Sequence, residues 1–417
     1  MAVDPKPEKR LRILVSAYSC GPNRGSEPGV GWGAAMALAA HADVHVLTTF
    51  ESRESIERVV AAGGVPENLH FHFFDLPGAG WWWKHGHLRG IQFHYALWQR
   101  FAGRVVRALH RQYHFDAAQH VTFVRYWSPS CLRNSGIPYV FGPVAGADLP
   151  PRELVREYPF RQRLVFLARK IVRWIGERNP ATLGTLRKAG HVFAATPATR
   201  ERCLALGVPA NRVSLCQAIA LSNAEFSYLS SFSVVKKPVF FGMGLLIHRK
   251  RFDLAIRAFA EAAIPESKLV LIGDGPEKSK LRDLAVRLHV GERVEITGFL
   301  SRSDAWRKMS GCAVMLHPCD LESGGCVVQE ALAAGRPVIA LDMGGPALMV
   351  DSTVGALVPP GSSSRIVRDI AANMKRLAGA LSRSDMALAS RTRIRSCALW
   401  TEKGNRYAEI ISRISAE

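Results

Sequence analysis

Two glutamates, Glu322 and Glu330, stand eight positions apart in the stretch ESGGCVVQE. On a helix, eight steps of about 1.5 Å each separate them by ~12 Å, so they bracket an extended ligand rather than share a proton. Gly324 and Gly325 open the predicted helix, so its free amides and positive dipole end can receive a phosphate without side-chain obstruction. Glu330 is suited to gripping vicinal hydroxyls. The alternative is an acidic helix cap followed by a surface glutamate.

Three further segments accompany this pair in the second half of the chain. They read GLLIHRKRFD over residues 244–253, GDGPE over 273–277 and TGFL over 297–300. Lys250 supplies a cation that suits a phosphate, although a solvated lysine between Arg249 and Arg251 is the alternative. His248 and His317 are weaker candidates and are predicted to be structural.

Taken together, these blocks resemble glycosyltransferase family 4, whose fold is of the GT-B type. The E-x7-E element and its following G-R-P-V segment occur in the family's order with counterparts of its G-R-L-x-x-x-K-G, G-D-G-P-E and G-F/Y blocks. The match continues through residues 344–346 (GGP) and 354–361 (VGALVPPG).

The resemblance implies a retaining transfer of a sugar from a nucleotide diphosphate sugar to a glycan or lipid-linked acceptor, in cell-surface polysaccharide or glycolipid synthesis. It implies no cofactor and no essential metal. Glu322 would contact the donor sugar, Glu330 the ribose, and Lys250 the diphosphate. The other donor-binding positions that it implies are Arg249, Phe299, Leu300, Ser323, Gly324, Gly325 and Cys326.

One position departs from the family pattern. The family usually has an arginine directly after the first glycine of the 244–253 block, and here that residue is Leu245. Either another arginine substitutes, with Arg249 the nearest in sequence, or catalysis is weak or absent. A non-catalytic nucleotide-sugar or glycan-binding protein therefore stays open, as does another enzyme on this fold, such as a nucleotide-sugar epimerase.

The first half contributes two candidates. Residues 25–32 (GSEPGVGW) resemble a variant of the family's N-terminal glycine loop, in which Gly25 and Gly29 let the backbone approach the donor. A tight turn without a ligand is the alternative. His120 ends a predicted strand, where site residues sit in such folds, and the family often has a catalytic histidine there that faces acceptor and donor sugar. A buried histidine without a catalytic role is the alternative.

Strand-like and helix-like segments alternate almost throughout, which predicts parallel sheets with helices on both faces. The expected architecture is α/β, with two Rossmann-like doubly wound domains facing across a cleft. The predicted divisions are an acceptor-binding domain over 1–220, a linker over 221–237, a donor domain over 238–398 and a closing helix over 399–417 that packs back on the first domain. The eleven predicted strands are Leu11–Ala17, Val44–Thr48, Leu69–Phe74, Phe115–His120, Pro138–Phe141, His191–Ala195, Val239–Gly242, Lys268–Gly273, Arg293–Thr297, Ala313–His317 and Pro337–Leu341.

The chain of 417 residues carries a formal net charge of +20, which indicates anionic partners. The amphipathic, arginine-rich stretch 152–178 and the aromatic, basic stretch 81–89 suit an anionic membrane surface. A helix with one face packed on the sheet and a solvated basic face is the alternative. Nucleic acid is not expected, because no binding motif accompanies the charge. The eight cysteines lack CxxC spacing, so we expect reduced thiols, no metal site and a cytoplasmic protein, peripheral at the inner membrane face.

Overall fold

The computed structural model describes residues 10–78 and 90–416 and divides them into two compact units. The first unit comprises the described residues as far as Ala147, then Arg169–Ala218, then the chain from Trp400 onward. The second unit comprises Asp148–Ala168 and Ile219–Leu399.

The first unit is built on a parallel sheet of seven strands in the order β3-β2-β1-β4-β5-β6-β7. Its strands are β1 (Arg12–Ser16), β2 (Asp43–Thr48), β3 (Leu69–Phe73), β4 (Ala117–His120), β5 (Tyr139–Val144), β6 (His191–Ala194) and β7 (Val213–Leu215). Neighbouring side chains of one strand enter different cores: Leu14 packs with one cluster, and Ile13 and Val15 with the other. Apolar side chains therefore cover both faces, as buried parallel sheets require.

Helices supply the layers of the first unit. They are α1 (Ser26–Ala39), α2 (Arg53–Ala61), α3 (Ile91–Tyr113), the later part of α5 (Phe160–Arg178), α6 (Pro180–Lys188), α7 (Pro197–Ala205) and α15 (Trp400–Ala416). The C-terminal helix α15 packs on α1, where Gly33 is required because a Cβ there would lie 2.1 Å from the Trp400 ring.

The second unit is built on a parallel sheet of six strands in the order β10-β9-β8-β11-β12-β13. Its strands are β8 (Val239–Met243), β9 (Lys268–Ile272), β10 (Val294–Ile296), β11 (Val314–His317), β12 (Val338–Leu341) and β13 (Gly355–Val358). Phe240 and Phe241, neighbours on β8, again belong to two different apolar clusters. The predicted pair of Rossmann-like parallel α/β domains is confirmed.

One helix follows each of the strands β8, β9, β10 and β11 of the second unit, and two helices follow β13. The helices of this unit are α4 (Arg152–Glu157), the beginning of α5, α8 (Asn223–Ser230), α9 (Phe252–Ala262), α10 (Lys278–Arg287), α11 (Arg302–Ser310), α12 (Cys326–Ala333), α13 (Ser363–Leu377) and α14 (Ala380–Cys397). β8 and β11 lie side by side at the centre of the sheet. The strands β8 to β10 extend the sheet in one direction and β11 to β13 extend it in the other, so the winding direction reverses between β8 and β11.

The unit boundaries differ from the predicted divisions in two places. Residues 148–168 belong to the second unit, where Leu154 and Tyr158 join its apolar cluster. Residues 221–237, predicted to be a linker, contain helix α8 and belong to the second unit as well. The Ser222 and Glu225 side chains form a capping box at the start of α8, a sequence signal that the serine-rich composition masked.

All eleven predicted strands occur, with ends shifted by a few residues. Two strands were missed, β7 and β13. The first has three residues and the second begins with a glycine, so neither carries the longer apolar run by which strands are recognised.

Candidate functional site

An ion pair between Lys250 and Glu322 forms the centre of the candidate site in the second unit. Lys250 ends a 3-10 turn, His248–Lys250, that follows β8, and Glu322 lies in the loop that follows β11. These are the two central strands of the sheet, so their carboxyl ends bring together residues 72 positions apart. The side chains are 13% and 22% exposed, which leaves the pair accessible to a ligand.

The pairing fixes the charge states of both groups. Burial by itself raises the pKa of Glu322, but the Lys250 ammonium lowers it to about 2. Burial by itself lowers the pKa of Lys250, but Cys319 and the Glu322 carboxylate raise it. The site therefore holds a carboxylate beside a full positive charge at neutral pH.

The second oxygen of Glu322 contacts the amides that were predicted to receive a phosphate. Its Oε1 accepts from the amides of Gly324 and Gly325, at 3.4 and 3.2 Å, just before helix α12 begins at Cys326. The carboxylate thus interacts with the amides that were predicted to receive a phosphate, which supports the anion preference of this helix start. The prediction that Glu322 and Glu330 share a helix is wrong, because Glu322 precedes the first helical residue by four positions.

Close backbone packing holds this loop in place. A Cβ on Gly344 would lie 2.0 Å from the carbonyl oxygen of Glu322, and one on Gly345 would lie 2.3 Å from that of Ser323. The Gly345 amide also donates to the Glu322 carbonyl at 3.0 Å. Gly344 and Gly345 are therefore needed so that their loop, which follows β12, can lie directly against the loop that contains Glu322 and Ser323.

Glu330 is engaged by an arginine that the sequence reading did not single out. Arg302, at the start of α11, donates through Nε to Glu330 Oε1 at 2.9 Å and also pairs with Glu225. Its guanidinium lies over the Trp306 ring, 4.5 Å from the centroid. Burial raises the pKa of Glu330, and Arg302 opposes that rise. The role of Arg302 could not be predicted from the sequence, because its partners are 28 and 77 positions away and meet it only in the folded chain.

The remaining donor-side candidates are exposed to different degrees. Phe299 is 84% exposed and Leu245 is 57% exposed, whereas Leu300 packs against the apolar core. The Arg249 side chain is exposed, while its carbonyl accepts from Cys319 Sγ at 3.2 Å. Cys326, at the first position of α12, lies 3.7 Å from Glu330 Oε1.

A mixed group of side chains adjoins the ion pair. A ring nitrogen of His317, the Cys319 sulfur and a Glu322 oxygen all lie within 4.8 Å of one another. His317 and Cys319 are buried, and His317 Nε2 has no hydrogen-bond partner. Burial and the nearby Lys250 lower the pKa of His317 to about 3, so the ring is neutral. No metal site was expected from the cysteine spacing, and these ligand types meet only in the folded chain.

In the first unit, His120 lies fully buried at the end of β4. Its Nδ1 lies 2.9 Å from the Ser130 hydroxyl, and its Nε2 lies 3.2 Å from the Tyr95 hydroxyl and 3.4 Å from the Gln99 amide. Burial lowers the pKa of His120 to about 4. This geometry matches the alternative of a buried histidine without a catalytic role, and a contact with either sugar stays a prediction.

The glycine loop of the first unit opens α1. A Cβ on Gly25 would meet nothing within 4 Å, whereas one on Gly29 would lie 2.1 Å from the carbonyl oxygen of Arg24. Gly25 is exposed, so packing within the described residues does not account for the glycine there. At Gly29, packing against the chain's own backbone already accounts for the glycine.

Helix α5 exposes its apolar residues. A stripe at steps of three and four positions consists of Phe160, Leu164, Leu167, Ile171 and Trp174, with Ile175 beside it, and these six side chains are 50% to 73% exposed. Arg161, Arg163, Arg169 and Lys170 are exposed on the same helix. The alternative of an apolar face packed on the sheet is wrong for this stripe. The second stretch of that prediction, residues 81–89, lies outside the described residues.

Within residues 10–78 and 90–416, no helix combines the length and the apolar character needed to cross a membrane.

Comparisons with known proteins concern the sequence of the second half of the chain and the fold. Residues 230–384 match the family model "Glycosyl transferases group 1". The lipopolysaccharide core biosynthesis glycosyltransferase LpsE of Rhizobium meliloti is 29% identical over 198 residues, which are 46% of this chain and 56% of that protein. A GDP-mannose-dependent alpha-(1-6)-phosphatidylinositol monomannoside mannosyltransferase of Mycolicibacterium smegmatis is 30% identical over 189 residues, 42% of this chain and 48% of that protein. The chain thus spans about half the length of these curated relatives.

Solved structures share the fold across nearly the whole chain. Anabaena Alr3699/HepE in complex with UDP superposes with a TM-score of 0.61 at 18% identity, covering 97% of this chain and 100% of that chain. WaaG, a glycosyltransferase involved in lipopolysaccharide biosynthesis, superposes with a TM-score of 0.59 at 18% identity, covering 96% and 99%. Both are similar in fold, which is of the GT-B type.

Proposed function

We propose that this protein is a retaining glycosyltransferase that moves a sugar from a nucleotide diphosphate sugar to a glycan or lipid-linked acceptor in cell-surface polysaccharide or glycolipid synthesis. The observation that carries the proposal is the Lys250–Glu322 pair beside the glycine-opened start of α12. The Glycosyl transferases group 1 domain over residues 230–384 includes this site, which supports a nucleotide sugar as the donor.

Transfer in this proposal breaks the bond between the anomeric carbon and the diphosphate oxygen, whose electron pair stays on the departing nucleotide diphosphate. Lys250 and the amides before α12 stabilise that developing charge, which gives the site a fixed cation without a metal. The acceptor hydroxyl forms its new bond on the same face of the sugar, and its proton passes to the departing phosphate oxygen. Glu322 contacts the donor sugar and Glu330 the ribose.

A transfer assay over a panel of nucleotide sugars tests the proposal. We expect a product whose anomeric configuration equals that of the donor, formed in the presence of a chelator. An inverted product would remove the retaining assignment, and a strict requirement for a divalent ion would remove Lys250 as the sole cation. A thermal-shift screen of UDP, GDP and ADP identifies the base, since a bound nucleotide stabilises by about 2.7 kcal/mol at a hundredfold excess over its Kd.

A binding protein without transferase activity is the second candidate, because Leu245 stands where the family has an arginine. Calorimetry that detects binding of a sugar nucleotide, with neither transfer nor donor hydrolysis, would favour this candidate.

We also propose that the protein is cytoplasmic and docks peripherally on an anionic membrane through α5. The exposed apolar stripe buries into the interface while the adjoining arginines and Lys170 meet anionic head groups. A lipid-linked acceptor would then be presented at the surface where the enzyme sits.

Co-sedimentation with vesicles tests the docking. We expect binding to vesicles that contain phosphatidylglycerol, weaker binding to pure phosphatidylcholine, and partial release by salt. Leu167→Asp with Ile171→Asp abolishes binding, whereas Val286→Asp, at a residue 67% exposed on α10, leaves it intact. Equal loss in both variants would mean that α5 is not the docking surface.

A further inference from the structure

The group formed by His317, Cys319 and Glu322 is the one metal-ligating set of three among the described residues, and its parts meet the needs of a soft divalent ion. It offers an imidazole nitrogen, a thiol sulfur and a carboxylate oxygen, the donor set that zinc sites use. Magnesium prefers oxygen ligands and has only one here. The ligand types therefore favour zinc.

The geometry requires only small movements. In a tetrahedral zinc site with bonds of about 2.0 to 2.3 Å, ligand atoms lie about 3.5 Å apart. The three atoms lie within 4.8 Å of one another, so each side chain has to shift by about an ångström or less to enclose an ion. His317 is buried, and its Nε2 has no hydrogen-bond partner.

The present partners of the other two ligands are replaceable. Cys319 donates its S–H to the Arg249 carbonyl at 3.2 Å, a weak bond. Glu322 Oε2 accepts from Lys250. A metal ion that binds here displaces the Lys250 ammonium and takes Glu322, two groups on which donor binding depends.

We propose that His317, Cys319 and Glu322 form an inhibitory zinc-binding site, in which Zn²⁺ competes with the Lys250 ammonium for Glu322. On binding, the Cys319 thiol releases its proton to solvent and forms the zinc–thiolate bond, and His317 coordinates as the neutral ring. The fourth position is left to water. Zinc binding stands on the cluster alone, whereas inhibition rests on the proposed transferase function.

Direct metal binding by the purified full chain is the first test. We expect one Zn²⁺ per chain in competition with a chromogenic chelator. Cobalt at the same site should give the visible absorption of a tetrahedral ion and a thiolate charge-transfer band. Cys319→Ser should remove that band and weaken zinc binding about tenfold or more, since even outer-sphere changes cost that much.

Two variants separate this site from adventitious binding. Cys397→Ser removes an exposed thiol on α14 and should leave binding unchanged. Lys250→Met removes the competing ammonium and should tighten zinc binding, an effect that a surface site would not show. Circular dichroism checks that each variant is folded. Unchanged zinc affinity in both Cys319→Ser and Lys250→Met overturns the proposal.

Inhibition is measured separately from binding. In the transfer assay, added Zn²⁺ should inhibit the wild-type protein, a chelator should restore activity, and Cys319→Ser should resist inhibition. Zinc that binds as expected in a protein without transferase activity would count against the proposed function and leave the metal site standing. Zinc that binds without inhibiting transfer would overturn the inhibitory role.

Discussion

The two units hold their candidate site residues by different means. In the second unit, Lys250 pairs with Glu322 across 72 positions of sequence, and Arg302 joins Glu330 and Glu225 across 28 and 77. In the first unit, His120 is a neutral ring held by a hydroxyl, a phenol and an amide that lie 10 to 25 positions away.

This difference bears on what each region can do. The Lys250–Glu322 pair remains partly accessible, so it keeps a strong electrostatic field in the site and a charged ligand can exchange with one of its members. A neutral ring with both nitrogens bonded and no exposure contributes to packing and hydrogen bonding. We therefore expect donor chemistry in the second unit and a structural role for His120, and the variants below test both expectations.

Breaking the central pair should give the largest effect. Lys250→Met removes the cation beside the amides that we propose bind the phosphate, and we expect kcat/KM to fall about 10²- to 10³-fold, as for loss of one preorganised donor. It also leaves the Glu322 carboxylate, which is 22% exposed, without its cation, which costs about 3 kcal/mol in the free energy of unfolding. Steady-state kinetics and urea unfolding measure the two losses.

The double variant Lys250→Met with Glu322→Gln is the control. It should regain most of the stability, because no unpaired charge remains, while activity stays low. Recovery of activity together with stability would mean that the pair serves folding alone.

Removing the arginine beside Glu330 should give the next largest effect. Arg302→Met frees the Glu330 carboxylate from its partner, and we expect the KM for the donor to rise about tenfold with a smaller change in kcat, since Arg302 holds the acid that we propose binds the ribose. Arg307→Met is the matched control on the same helix, where Arg307 pairs only with exposed Asp304 in the structure described. An equal rise in both variants would deny Arg302 a positioning role.

His120→Gln tests the first unit. We expect a stability loss of about 1 to 3 kcal/mol, because the substitution leaves Ser130 or Tyr95 without its buried partner. Activity per folded molecule should stay near that of the wild type. A fall in kcat of a hundredfold, with donor affinity and folding preserved, would instead restore the catalytic histidine implied by the family resemblance.

His120 in the first unit and Glu322 in the second should affect the free energy of unfolding in different pH ranges. His120 titrates near pH 6.5 when unfolded and has a pKa of about 4 when folded, so its contribution is lost as pH falls between these values. Glu322 titrates near pH 4.3 when unfolded and about 2 when folded, so its contribution is lost at lower pH. The free energy of unfolding of each variant is measured against pH and compared with that of the wild type. His120→Gln should differ from the wild type in its pH dependence in the higher range, and Glu322→Gln in the lower range. If both variants differed in the same pH range, the two pKa shifts would be assigned wrongly.

Leu245→Arg should give the smallest change, and in the opposite direction. Leu245 is 57% exposed, so a longer side chain fits, and a second cation near Lys250 should raise kcat/KM about two- to tenfold. Leu245→Met controls for size. A gain from no measurable activity would favour the binding protein as the natural function, and no gain would mean that the site does not use this position.

The sequence by itself determined the alternation of strands and helices, since buried parallel strands appear in a sequence as short runs of apolar residues. It also determined the glycine-opened start of α12. The proximity of Lys250 and Glu322 could be predicted as well, because each of these residues lies just after a strand. Where the local signal was weak, as in β7, or was masked by composition, as in α8, the sequence did not suffice.

Only the tertiary structure decided which groups became partners. Arg302 reached Glu330, His317 and Cys319 met Glu322, and residues 148–168 joined the second unit because the folded sheet order brought distant segments together. It also decided that His120 is enclosed and that the apolar stripe of α5 faces solvent. Periodicity gives the faces of one element, whereas contact between elements depends on the whole chain's packing.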